Sequence, residues 1–276
     1  MGLYQGRALR EGPPRPRPTR TRRLLRVLRV AGVLVLLAGL AHLPWGAWRR
    51  RVAAISAVEV QGAEYLDPRR VTEFSGVRPG GDLLALDLDR ARQDLLRHAR
   101  IADARVTRRG LTGVNIRIVE RRPVLLVRHG TPWELDAGGV LLAPFADGAV
   151  ADVPLLTGPD FASYPEGALI RTVQVRRGLE WVRALSSREL QLGGRISEID
   201  VSDPRGTALL LMTGTRVLSP AWPPGVRTLS ALRVVLADLE KRGTTAQEVD
   251  LRFEDQVIVR PVEPAQSQAA MGAGTS

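Results

Sequence analysis

Residues 55–76 read ISAVEVQGAEYLDPRRVTEFSG, and their interpretation decides the first folded part of the chain. Residues 55–62 alternate apolar and polar side chains and end on Gly62, the pattern of a strand running into a turn. Asp67-Pro68 then opens a helix, with an acid at the N-cap and a Pro at the first helical position, where its missing N–H is not needed. Val71 and Phe74 lie three apart on one face of that helix, and Gly76 is suited to end it in the left-handed conformation.

The residues that follow extend the pattern. Arg78-Pro79-Gly80-Gly81 is a loop, and Asp87 or Asp89 caps the next helix, whose stripe is Leu88, Ala91, Leu95 and Leu96. Two strands come next, at 102–108 and 113–120, with Gly110 in the connection. In the second, Val114, Ile116 and Ile118 alternate with Asn115, Arg117 and Val119. The order is β-α-α-β-β.

From 124 onward the strands are shorter. Strands are expected at 124–128 and 133–136, and Asp136-Ala137-Gly138-Gly139 is a hairpin turn into Val140-Leu141-Leu142. Residues 144–165 read as a Pro/Gly-rich connection. A helix over 172–185 uses Val173, Val175, Leu179, Val182 and Leu185, and strands follow at 196–201, 208–212 and 216–218. A second helix over 226–241 carries Leu229, Leu232, Val235, Leu236 and Leu239 and stops at Gly243. The last elements are 248–253, a turn at Glu254-Asp255, and 256–262.

Upstream, residues 30–48 (VAGVLVLLAGLAHLPWGAW) contain no Asp, Glu, Lys or Arg. A helix of that length reaches roughly 28 Å, close to the hydrocarbon thickness of a bilayer. Trp45 and Trp48 mark one interface, and the span can start at Leu24 if Arg26 and Arg29 snorkel. The 29-residue lead is long for a cleaved signal peptide, and no A-x-A site follows, so the segment reads as an uncleaved anchor.

The formal net charge of +11 is unevenly distributed. Residues 1–29 hold nine Arg against Glu11, and Arg49, Arg50 and Arg51 follow the apolar run; residues 52–276 hold 28 basic and 28 acidic side chains. A neutral body argues against a nucleic-acid-binding domain, which needs excess cations to displace counterions. The cation bias puts the N-terminus in the cytoplasm and the body outside it. The lead at 1–29, with four prolines, and the small, polar residues 263–276 read as disordered.

Enzymatic chemistry finds little support. The chain has no Cys, so thiol nucleophiles, disulfides and Cys-based metal sites are absent. His42, His98 and His129 stand apart and match no metal spacing. His98 reads as a helix C-terminal residue and His129 as a surface loop residue. Asp87 and Asp89 read as caps, Asp200 and Asp203 as turn borders, and Glu120-Arg121-Arg122 as an ion pair or a solvated strand end. No cofactor-binding motif appears.

Three stretches, in order, carry a resemblance. "VEVQGAEYLDPRRV", "GGDLLALDLDRARQDL" and "ARVTRRGLTGVNIRIVERRPV" resemble a POTRA domain; "WELDAGGVLLAP" with "VPLLTG" resembles the start of an FtsQ β-domain; and "AQEVDLRFEDQVIVRP" resembles its final hairpin. With the basic lead and the anchor, the chain resembles the FtsQ/DivIB family of cell division proteins. It departs from that family at Ser219-Pro220-Ala221-Trp222-Pro223-Pro224, where a Gly is usual.

The resemblance implies an α+β fold: a transmembrane helix at 30–48, a POTRA domain at 55–123, and a mixed β-domain at 124–262 with two packing helices and an open edge strand. It implies a non-enzymatic divisome scaffold in the inner membrane at the septum, binding FtsB- and FtsL-type proteins, with the POTRA domain acting in recruitment and no cofactor. Arg252 and Phe253, just before the last turn, match the family's partner-contacting pair; Gln256, Val257, Ile258, Val259 and Arg260 form the strand a partner would extend, and Arg205 is a further contact. The rival readings are another POTRA-bearing envelope assembly or secretion factor and a membrane-anchored envelope hydrolase. The first appends a long β-barrel that some 150 residues with two helices do not supply.

Overall fold

The computed structural model describes residues 20–42, 53–145, 148–253 and 256–261. Expectations for residues 1–19, Trp45, Trp48, the turn at Glu254-Asp255, Val262 and the tail at 263–276 fall outside that range.

Helix α1 (Arg20–His42) begins ten residues before the expected span. Its apolar window is Leu24–Ala41, 18 residues of mean hydropathy 2.2 interrupted only by Arg26 and Arg29. Leu and Arg are good helix formers, so the helix extends upstream through the basic residues. The window is exposed along its whole length, as a lipid-facing helix would be.

The β-α-α-β-β reading holds. Strands β1 (Ala57–Gln61), β2 (Ile101–Arg109) and β3 (Gly113–Glu120) form a sheet of order β1-β3-β2. β1 runs parallel to β3, and β2 antiparallel. Helices α2 (Pro68–Phe74) and α3 (Leu88–Leu96) cover one face and bury Val71, Ala91 and Leu95 on Ile116 and Ile118. Both caps form as the sequence predicts: Asp67 accepts from the Arg69 N–H at 2.8 Å and Asp87 from the Arg90 N–H at 2.9 Å. Asp89 falls in the first turn of α3, where its charge suits the helix dipole.

The remaining strands build one nine-stranded mixed sheet. They are β4 (Pro123–His129), β5 (Thr131–Asp136), β6 (Leu141–Leu142), β7 (Leu155–Thr157), β8 (Ile196–Asp200), β9 (Gly206–Leu211), β10 (Arg216–Pro220), β11 (Ala246–Asp250) and β12 (Ile258–Pro261). Their order is β12-β11-β10-β9-β8-β7-β4-β5-β6. One apolar row crosses it in register: Trp133, Val127, Leu156, Ile199, Leu209, Val217, Val249 and Val259. Helices α4 (Val173–Leu185) and α5 (Val226–Lys241) close over this row with Trp181, Leu185, Leu229 and Leu232.

Two local expectations need correction. The Pro/Gly-rich connection at 144–165 contains β7, which lies in the middle of the sheet between β4 and β8. His129 is not a loop residue: it ends β4 across the Gly130 turn from Thr131 and stacks on Trp133 at 4.0 Å. Its Nε2 lies 3.0 Å from the Tyr164 carbonyl oxygen.

The small sheet joins the large one at the β5–β6 end. Arg100 donates to Glu134 at 2.7 Å and to the Ala143 carbonyl at 2.6 Å, and its guanidinium lies 3.7 Å from the Phe145 ring centre. Arg121 bonds Asp136 at 2.8 Å and the Ala99 carbonyl at 3.0 Å. Glu120 turns the other way and accepts the N–H groups of Glu64, Tyr65 and Leu66. Of the Glu120-Arg121-Arg122 cluster, only the Arg122–Glu64 pair is mostly exposed.

Candidate functional site

A sheet has two borders, and here they are treated differently. At β6, the Leu141 N–H donates to Ala168 and the Gly167 N–H donates to Leu141, so a 167–170 segment covers that border. At the other border, β12 pairs with β11 on one side and with no strand on the other among the described residues. This is the open edge expected from the sequence. An unpaired strand presents backbone N–H and C=O groups to any extended segment that reaches it.

The side chains of this edge alternate. Val257 and Val259 are half-buried against the core, while Gln256, Ile258 and Arg260 are exposed. Arg260 pairs with Glu248 on β11 at 3.0 Å.

The segment leading into the edge is anchored first. Leu251 is buried, and its N–H donates to the Leu218 carbonyl at 2.8 Å. Arg252 then folds back on Asp250. Its Nε lies 2.9 and 3.1 Å from the two carboxylate oxygens, and Nη2 lies 2.6 Å from Oδ2. These hydrogen bonds hold the Asp250 carboxyl below its ordinary range, against the opposing effect of burial. In turn Asp250 raises the Arg252 pKa. Arg252 is therefore not a fully free fork, although half its side chain faces solvent. Phe253, the next residue, is 51% exposed and does not fill the core.

Arg205 reaches the same end of the sheet by a different route. Gly206 pairs with Pro220, and Leu218 pairs with Asp250, which brings the β8–β9 turn alongside the β11–β12 connection. The Asp203 charge in that turn contributes to raising the Arg252 pKa, consistent with their nearness. The backbone of Arg205 is fixed by its N–H bond to Asp203 at 2.9 Å.

A residue that sequence reasoning missed holds this turn. Arg177 on α4 is buried, and its guanidinium donates to the carbonyls of Val201, Asp203, Pro204 and Gly206 at 2.6, 2.8, 3.1 and 3.3 Å. Burial lowers its pKa, and the carboxylates of Asp203 and Asp200 oppose that shift. The available signal was its spacing: Arg177 stands four residues before Trp181, on the buried face of α4. Trp181 supports the departing segment as well. Its Nε1–H and the Thr207 hydroxyl both donate to the Ala221 carbonyl, so β10 runs on to Pro220 and Trp222 is left 45% exposed.

The histidines do not converge. His98 packs against Phe74 with the ring centres 4.7 Å apart and the planes tilted by 37°, and burial lowers its pKa. No group of three or more His, Asp or Glu is placed to hold a metal among the described residues.

Comparison with known proteins gives a consistent picture. Residues 53–121 match the POTRA domain, FtsQ-type, family. The chain is 34% identical to the cell division protein FtsQ of Rhodothermus marinus, over 91% of this chain and 92% of that one. It is 30% identical to FtsQ of Anaeromyxobacter sp. (strain K), over 81% and 77%. With FtsQ of Streptomyces coelicolor the identity is 28%, over 87% and 89%. A membrane-length apolar helix, an FtsQ-type POTRA domain and similarity along most of the chain agree, and the chain belongs to the FtsQ family of cell division proteins.

Proposed function

We propose that this protein is a non-enzymatic divisome scaffold that binds an FtsB-type partner by adding a strand to the outer side of β12, with FtsL in the same assembly. The observation that carries this reading is the unpaired border of β12 beside Arg252, Phe253 and Arg205. Backbone pairing supplies affinity. The alternation along 256–260 supplies register, because a one-residue slip exchanges the neighbours of Val259 and Ile258. Membership in a cell division family supports the divisome setting.

The anchor, with its arginine-rich lead in the cytoplasm, holds 55–123 and 124–262 outside the inner membrane at the septum. The first of these domains serves recruitment and the second receives the partner strand. The test is a pull-down of an FtsB homologue by the full chain carrying Val257→Pro or Arg252→Glu. Val257 precedes the β11–β12 ladder, so a Pro there leaves that pairing intact while removing one N–H beside the open border. The expected result is lost or strongly weakened capture by both folded variants; undiminished capture by both rejects this surface.

A further inference from the structure

We propose that the free end of the POTRA domain rests on the bilayer surface through Leu84 and Leu111, so that the folded part of the chain is held in one orientation over the membrane. The domain has two ends. One carries Arg100 and Arg121 and is joined to the large sheet. The other is where the chain enters, and two loops grip the entering residues. Ile55 donates to the Gly81 carbonyl and accepts from the Gly80 N–H, both at 2.8 Å. The Ser56 N–H donates to the Thr112 carbonyl at 2.8 Å, and the two hydroxyls lie 3.0 Å apart. Arg108, next to the hairpin tip, ties the two loops together: its guanidinium donates to the Leu83 and Leu86 carbonyls at 3.1 and 2.9 Å.

Each loop presents a leucine. Leu111 is 79% exposed at the tip of the β2–β3 hairpin, and Leu84 is 61% exposed beside the buried Leu83. Asp82 fixes the second loop by accepting the Leu84 N–H at 2.9 Å. A turn tip is ordinarily filled by Gly, Asn or Asp, and neither leucine belongs to the domain's core, so both are explained by what lies outside the fold. The length of chain upstream names the occupant. Ten residues, 43–52, separate α1 from Ala53, and they reach no more than about 40 Å. A tether that short keeps this end beside the bilayer at high effective concentration, so side chains too weak to bind lipid from solution are sufficient. Arg78, exposed at the same end, suits the lipid phosphates. With the tip docked, the joint at Arg100 and Arg121 carries that orientation to the large sheet and its open border. The inference rests on α1 crossing a bilayer and not on the partner surface at β12.

The experiment uses the full chain at one copy per nanodisc of phosphatidylcholine and phosphatidylglycerol. The sequence has no Cys, so a nitroxide attached through Ala85→Cys reports the free end. A nitroxide attached through Arg70→Cys, exposed in the first turn of α2 at the joined end, is the reference. Collisions with oxygen, which concentrates in lipid, are compared with collisions with a water-soluble nickel chelate. We expect the oxygen-to-nickel ratio at 85 to exceed that at 70 by about threefold or more. Leu84→Ser with Leu111→Ser brings it down to the level at 70. Both leucines are exposed, so the urea midpoint of that variant stays close to the parent's. Equal ratios at the two positions with the leucines in place overturn the proposal, as does a high ratio that survives the serine variant. A high ratio found only when several copies share a disc also overturns it and assigns the leucines to a contact between copies. Retention of the chain on the disc reports the anchor separately from the label. Equal ratios in a retained chain therefore remove the docking alone, whereas a chain that leaves the disc overturns the anchor and the proposal together.

Discussion

Arg100 and Glu134 meet at 2.7 Å with side chains 6% and 0% exposed, and they join the POTRA sheet to the nine-stranded sheet. The other Glu134 oxygen accepts the Ala151 N–H at 2.8 Å, so the carboxylate is satisfied on both sides. A buried pair contributes little net stability compared with an apolar replacement, but breaking it strands a charge. Arg100→Ala is therefore expected to destabilise the chain by about 3–5 kcal/mol in urea unfolding. The double variant Arg100→Met with Glu134→Leu is expected to recover most of that loss. It should also raise hydrogen exchange at the joint, since the directional bonds are gone. Because β12 lies at the opposite border from β5 and β6, this joint sets where the open edge points.

Arg177 holds the β8–β9 turn from α4. Its guanidinium serves four carbonyls, so Arg177→Met leaves several backbone acceptors in search of water. We expect a loss of roughly 2–4 kcal/mol of stability. Hydrogen exchange should quicken across 201–206, and partner binding through Arg205 should weaken. Arg177→Lys is expected to rescue less than half of the loss, because an ammonium is a point donor and cannot span the same four oxygens.

These two arginines show where sequence reading stops. The helix starts were legible because a cap is a local event: Asp67 and Asp87 bond backbone two or three residues away. Alternation in 113–120 was legible for the same reason. β7 was not, because Leu155–Thr157 is only three residues and owes its strand to neighbours on β4 and β8. Arg100 and Arg177 look like surface residues until partners 34 and 24 to 29 positions away are brought to them. At the candidate site the residue types of Arg252 and Phe253 were readable. The fork of Arg252 on Asp250 was not, since it depends on Asp250 lying near the sheet border on the face opposite Val249.

The Arg252–Asp250 contact has a pH signature. The folded pKa of Asp250 lies below its ordinary 3.8, chiefly because Arg252 hydrogen-bonds the ionised form. A depressed carboxyl pKa contributes stability that is fully present above the unfolded value and is lost as pH falls through the folded one. The β11–β12 pairing should thus be insensitive to pH near neutrality and loosen only in acid, below about pH 4. Carboxyl carbon NMR titration, with hydrogen exchange on β11 and β12, measures both. Arg252→Ala should move the Asp250 midpoint upward, and Asp250→Asn should flatten the acid limb at this edge.

Phe253 separates a binding role from a packing role. Leu251, two residues earlier, is 2% exposed and anchors the segment, whereas the Phe253 ring is half in solvent. Truncating an exposed ring should change stability by no more than about 0.5 kcal/mol. An aromatic that fills a partner's pocket is worth far more in the complex, so Phe253→Ala should weaken binding of an FtsB-type segment about tenfold or more. Leu251→Ala is the matched control: it should cost about 2–5 kcal/mol of stability, and any effect on binding should follow from that loss. Urea midpoints and fluorescence anisotropy on the same two variants read the two quantities independently. Destabilisation of Phe253→Ala by as much as the control would mean that the ring packs inward in solution, and the partner surface would then have to lie further along β12.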